Sequence, residues 1–235
     1  HRLASVIIQS EARYRYLFPV DTSCPVFYVQ NAPALPSVRV FPEKPFRKRM
    51  IFFGNVMASH GLFDCLEAMN TICQTDNGYT MTIKGVIPKS WVRAAIRWRY
   101  RHLLERGNII IDEEYTPQAD IVPYLSSFDI GFCLYNFRLL SKSDFNYLSV
   151  PSGKLFNFYA AGVPVVGVDI LGLASVREYG TGILVDTLSK ESLSQAIAHI
   201  AGNYSAYHRN CLAAADRFDF RKSIIPFMEY LTGKA

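Results

Sequence analysis

Apolar and polar positions along this chain follow two periods in turn. Short, nearly all-apolar runs alternate with longer stretches whose apolar positions recur at helical spacing. The runs predict strands at 50–54, 79–85, 108–112, 129–135, 163–169 and 182–186. The longer stretches predict helices over 61–71, 90–104, 120–128, 152–161 and 173–179, with three more filling the C-terminus at 190–201, 204–218 and 223–231. Strict alternation implies a parallel sheet covered on both faces and joined by right-handed crossovers. Strands that are apolar throughout agree, because such a sheet is buried on both sides. The predicted fold class is therefore α/β: a doubly wound, Rossmann-like parallel sheet that binds its ligand at the carboxyl ends of its strands.

The pattern differs before residue 49. A strand at 5–10, a helix at 11–18 capped by Ser10, and a strand at 25–31 closed by Asn31-Ala32-Pro33 come first. Pro33, Pro36, Pro42 and Pro45 then give residues 33–48 the composition of a linker. The expected division is 1–48, the end of one domain with its linker, and 49–235, a second domain.

Composition narrows the class. Hydrophobic residues make up 50% of the 235 and charged residues 19%, which fits a globular chain with a sizeable core. No apolar run approaches the roughly 20 residues that span a bilayer. The start, His1-Arg2-Leu3-Ala4, has no signal-peptide pattern and no initiator Met, so the expectation is a piece of something longer. A net charge of +5 fits an anionic ligand or surface without naming one. Cys24, Cys65, Cys73, Cys133 and Cys211 are odd in number and show no metal-type spacing. They are expected to be thiols of a reducing compartment, with no structural metal.

Candidate chemistry concentrates in Pro151-Ser152-Gly153-Lys154-Leu155-Phe156-Asn157-Phe158-Tyr159-Ala160-Ala161-Gly162-Val163-Pro164-Val165-Val166. Ser152 suits the cap of a helix, Gly162 the left-handed residue after its end, and Pro164 the first position of a strand. The first helical N–H groups, the positive end of the dipole and the Lys154 ammonium would converge on one anion. The alternative is a surface lysine in a first turn, where its charge opposes the dipole.

This stretch resembles the nucleotide-sugar-binding half of the GT-B glycosyltransferases, above all the retaining family 4 type. That family reads Pro-Ser-Lys-hydrophobic-Phe-Glu-Tyr, then Ala-Ala-Gly-x-Pro-Val. Two family glutamates are replaced here, by Asn157 and Ser149. The resemblance implies that residues 1–48 end an N-terminal domain and that 49–235 bind a nucleotide-diphosphate-sugar donor. It implies sugar transfer to the hydroxyl of a carbohydrate or lipid-linked acceptor in polysaccharide assembly, without a metal or other cofactor. The acceptor and much of the catalytic face would lie on the N-terminal domain, leaving this part alone inactive and the catalytic residues unassigned. The implied location is the cytoplasm, alternatively with peripheral attachment to a membrane. Two alternatives stay open: a sugar-nucleotide 2-epimerase on the same fold, and a non-catalytic partner in carbohydrate assembly that has lost donor binding.

The first strand-to-helix turn, Gly54-Asn55-Val56-Met57-Ala58-Ser59-His60-Gly61, is not a dinucleotide fingerprint. In the resembling family an Arg and a Lys that bind diphosphate stand where this chain has Asn55 and His60. Either can donate to a phosphate, but only His60 can carry charge, titrating near neutral pH; otherwise both are plain turn residues. Gly54, Lys84, Tyr115, Ser152 and Gly153 complete the expected donor set with Lys154 and Asn157, Tyr115 as an aromatic near the base. Glu113 and Glu114 are expected to be solvated. The loop 136–150, with Arg138, Lys142, Asp144 and Asn146, either lines the sugar pocket or is a surface excursion.

Lys89, Arg93, Arg97 and Arg101 recur every four residues with Trp91 and Trp98 between them. The favoured reading is a solvated basic face with tryptophan packed inward. Contact with an anionic membrane surface comes second, and no nucleic-acid motif supports a third.

Overall fold

The computed structural model describes residues 4–18, 20, 22–35, 44–140, 145–149 and 152–233. His1, Arg2, Leu3, Pro36, Pro42, Lys142, Asp144 and Pro151 lie outside these residues, as does the side chain of Asn146. The strands are β1 (Val6–Ile8), β2 (Val26–Tyr28), β3 (Arg49–Phe53), β4 (Thr80–Lys84), β5 (Ile109–Asp112), β6 (Ile130–Cys133), β7 (Val165–Val168) and β8 (Gly182–Val185). Strands β3 to β8 form one all-parallel sheet in the order β5-β4-β3-β6-β7-β8. The winding reverses between β3 and β6, which opens a crevice at their carboxyl ends.

Alternation along β3 shows how the sheet is buried. Met50 and Phe52 face one core with Leu62, Leu66 and Ile197, whereas Ile51 faces a second with Leu155, Phe158 and Val165. All three β3 residues are fully buried. Small residues allow the second layer to close. A Cβ on Gly131 would stand 2.5 Å from the Phe158 ring, so the Gly153–Ala160 helix settles directly onto β6. Gly162 ends the approach to β7 at φ +66°, a conformation that favours glycine, and the His208 ring leaves no room for a side chain there.

Strands β1 and β2 pair in parallel as a separate two-stranded sheet. Ser10 caps the Glu11–Leu17 helix as expected, accepting from the Arg13 amide at 3.2 Å. The C-terminal helix, Ile225–Leu231, returns to this sheet. Phe27 packs between Phe227 and Tyr230, and the Tyr230 hydroxyl donates to the Ala4 carbonyl at 2.9 Å. The segment leaving β2 is tied to the body: the Phe220 amide donates to the Pro33 carbonyl, and the Leu35 amide to Asp219. Past the undescribed stretch, fully buried Asp129 accepts from the Arg47 and Arg49 amides at 2.9 and 2.8 Å.

Several elements depart from expectation. The 90–104 helix breaks at buried Tyr100 into Ser90–Arg99 and Arg101–Glu105. The 120–128 helix shortens to Ile121–Leu125 after a 3-10 turn at Gln118–Asp120. Loop 136–150 contains a helix at Phe145–Ser149. Tryptophan does not pack inward on the basic helix: Trp98 is 85% exposed and Trp91 55%. Val92 and Ile96 take the inward positions instead. No helix among the described residues is long and apolar enough to cross a membrane.

Candidate functional site

A cavity of about 380 Å³ occupies the crevice between β3 and β6. Four segments line it: Asn31 to Pro33 after β2, Phe53 to Asn55 with His60 after β3, Gln118 and Ile121 after β5, and Tyr135 with Ser152, Gly153, Lys154 and Asn157 after β6. Six of the sequence-predicted residues besides Lys154 thus meet there: Gly54, Asn55, His60, Ser152, Gly153 and Asn157.

Lys154 stands in the first turn of the Gly153–Ala160 helix. Its ammonium lies over the rings of Phe52 and Tyr135, at 5.5 and 5.8 Å from their centroids. No carboxylate among the described residues reaches it. Ring faces attract a cation weakly, so this charge is still able to meet an anion. Ser152 caps the helix through its backbone alone, its carbonyl accepting from the Leu155 amide at 2.8 Å. The expected side-chain cap is absent, because Ser152 Oγ makes no such bond.

His60 is buried, with Nδ1 3.3 Å from Ser59 Oγ and its ring tilted against Tyr135. Burial, and then the neighbouring Lys154 charge, push its pKa down to about 4. The imidazole is therefore neutral at pH 7, which corrects the expectation of titration near neutrality. A neutral ring offers one donor and one acceptor rather than a charge. Asn157 donates from Nδ2 to the Gly153 carbonyl at 3.2 Å, while its buried Oδ1 has no partner. An orphan acceptor in a cavity wall is a place for a ligand hydroxyl.

Two predicted residues lie elsewhere. Lys84 is absent from the cavity lining. Its Nζ is 2.8 Å from both Asp112 Oδ1 and the Glu114 carbonyl, over the Tyr124 ring. It braces the turn after β5, and its charge is consumed there. Burial opposes ionisation of Asp112, but the Lys84 and Tyr124 hydrogen bonds outweigh it and hold the pKa below the usual range. Tyr115 is 87% exposed and lies outside the lining. Glu113 is not merely solvated: Arg93 pairs with it, the Ile87 amide donates to it at 3.1 Å, and its pKa falls to about 2. Ser149 is buried, its hydroxyl donating to the Phe145 carbonyl of its own helix. Arg138 lines a neighbouring cavity with Asp64 and Asn136, behind Tyr135.

The sequence had not marked Asn31–Pro33, Gln118, Ile121 or Tyr135 as lining residues. Tyr135 carried a usable signal, since it closes an apolar run at the carboxyl edge. Chemically, the described residues of the cleft combine a helix start, a cation without a carboxylate partner among them, a neutral imidazole and an open amide oxygen. That set suits a ligand with an anionic part and hydroxyl groups.

No protein-family model matches the sequence, and no curated protein matches it. Solved structures do resemble the fold. The pneumococcal O-GlcNAc transferase GtfA, in complex with UDP and GlcNAc, superposes with a TM-score of 0.72 at 13% identity, over 99% of this chain and 45% of GtfA. HepE of Anabaena, in complex with UDP and glucose, gives 0.72 at 15% identity, over 97% of this chain and 63% of HepE. A TarM mutant of S. aureus, whose complex includes UDP, gives 0.69 at 15% identity over 97% and 43%. The chain thus spans less than two thirds of each of these proteins. What these likenesses show is the fold: this chain has the GT-B architecture, built around that fold's Rossmann-like sheet.

Proposed function

We propose that the cleft holds the diphosphate of a nucleotide-sugar, and that the complete enzyme transfers the sugar to a hydroxyl of a carbohydrate or lipid-linked acceptor. The observation that carries this reading is Lys154, an ammonium without a carboxylate partner among the described residues, at a helix start in the crevice where the winding reverses. Negative charge grows on the leaving diphosphate as the glycosidic bond breaks. A fixed cation and aligned N–H groups stabilise that charge most where it develops. Neutral His60 supplies a hydrogen bond without competing for the proton. Asn157 Oδ1 accepts from a ribose hydroxyl. These residues bind and orient the donor; the groups that act on the sugar carbon are not assigned to this chain, which is expected to be inactive alone.

Uridine is the base to try first, because GtfA, HepE and TarM each carry UDP. Among the described residues the cleft lining contains no Asp or Glu, which speaks against the 2-epimerase alternative. One observation favours the second alternative, a non-catalytic partner: Ser149 Oγ and Asn157 Nδ2 both bond to backbone carbonyls of their own helices. Titration calorimetry of the chain with UDP, GDP and ADP separates the readings. Saturable binding of one of them supports donor binding, and heats indistinguishable from dilution for all three favour the partner reading.

A further inference from the structure

The basic helix plays no part in the cleft, yet it carries both tryptophans of the chain. They are seven residues apart on Ser90–Arg99, so they share one stripe, about 10 Å apart along the axis. The stripe points outward: Trp98 is 85% exposed, and Trp91 is 55% exposed while stacking on Phe63 at 5.9 Å. Val86, in the loop leading into the helix, is 68% exposed. The opposite face of the same helix is already spent, with Val92 and Ile96 in the core.

Charge on this surface is unbalanced. Arg93 pairs with Glu113, Arg99 with Glu67 at 2.8 Å, and Arg101 with Glu105 at 2.6 Å. Lys89, Arg97 and Arg106 are exposed and form no salt bridge among the described residues, Arg97 acting on Glu113 only from a longer range. The surface therefore offers a straight line of indole rings with surplus cations beside it. An indole that binds a folded partner needs a pocket shaped to receive it. The interfacial layer of a bilayer takes indole rings without one, and anionic headgroups complement the cations.

We propose that the outward face of Ser90–Arg99 docks on an anionic bilayer surface. Trp91 and Trp98 enter the interfacial layer, and Lys89, Arg97 and Arg106 meet the headgroups. Docking of this kind lies flat and spans nothing. The loop before the helix starts at Gly85, whose added Cβ would stand 2.3 Å from the Gly54 carbonyl at the rim of the cleft. A docked helix would thus hold the cleft one loop away from the lipid. The proposal is independent of what the cleft binds.

The two tryptophans make the test specific, because all indole emission comes from the proposed surface. The full chain is mixed with vesicles of phosphatidylcholine, alone or with phosphatidylglycerol, and followed by sedimentation and by emission wavelength. Binding to the anionic vesicles with a blue shift, reversed by high salt, is the expected result. Arg97→Glu changes the local charge by two and should lower partition about thirtyfold at low salt. Trp98→Ser should remove the larger part of the shift; both side chains are exposed, and far-UV circular dichroism checks that the fold is kept. Equal partition onto neutral and anionic vesicles overturns the proposal. So does sedimentation without a blue shift, which places the contact elsewhere, or tight capture of duplex DNA with no vesicle binding, which makes the surface a nucleic-acid one.

Discussion

Lys84 and Lys154 stand at the carboxyl edge of one sheet and do opposite things. Lys84, almost wholly buried, is answered on every side, by Asp112, by the Glu114 carbonyl and by the Tyr124 ring. Among the described residues Lys154 meets ring faces and a neutral imidazole but no carboxylate. A cation whose electrostatic needs are met inside the protein holds structure together. One whose needs are met only in part is available to a ligand. The difference comes from Asp112, a carboxylate 28 residues beyond Lys84, and not from either lysine's own neighbours in the chain.

The comparison is broken most directly at Lys84. Lys84→Ala should lower the free energy of unfolding by about 3 kcal/mol, since it strands Asp112 in a partly buried pair. Denaturant titration measures this, while affinity for a nucleoside diphosphate should hold. A loss of affinity without loss of stability would exchange the roles of the two lysines.

His60 gives the next largest effect. Its folded pKa of about 4 lies below its ordinary 6.5, so folding favours the neutral ring. The resulting stability is fully present above pH 6.5 and is lost as pH falls from there through 4, about 3 kcal/mol in all. Subtracting the pH–stability curve of His60→Gln from that of the natural chain isolates this limb. In Lys154→Ala the limb should shrink, because one of the two causes of the depression is gone. A limb that is unchanged there would mean burial alone sets the His60 pKa.

The cleft itself yields the smallest changes. Lys154→Ala should weaken nucleoside diphosphate binding by about 1.5–3 kcal/mol, and Asn157→Ala by about 0.5–1.5 kcal/mol, because a bond to a charged group outweighs a neutral one. Stability should barely move in either variant. Calorimetry that reverses this order would shift the anion away from the helix start.

Local pattern carried the architecture: the six strands, their parallel sense and the Gly162 stop were all legible. So was the gathering of Gly54, His60 and Lys154, since strand ends in a doubly wound sheet share one edge. Legibility failed where distant segments meet. Nothing near Lys84 announces Asp112. A basic helix looks the same whether its tryptophans face the core or water, and Trp98 points out because Val92, Ile96 and Tyr100 already fill the inner positions. The Tyr100 break was hidden too, because helical periodicity continues through it.

Asn31 belongs to the segment leaving the small sheet, yet it stands against the helix start. A Cβ on Gly153 would come within 3.0 Å of Asn31 Nδ2. Asn31, Ala32 and Pro33 therefore form one jaw of the cleft, and the Lys154 helix forms the other. Any molecule that fills the space touches both jaws and opposes their separation, so occupancy is also a clasp on the linker. Chain segments that bend or breathe at residues 31–35 would be stiffened by a ligand whose charge is held on the far side of the cavity. Conversely, a bulkier residue at 153 would press on Asn31 and push the two jaws apart.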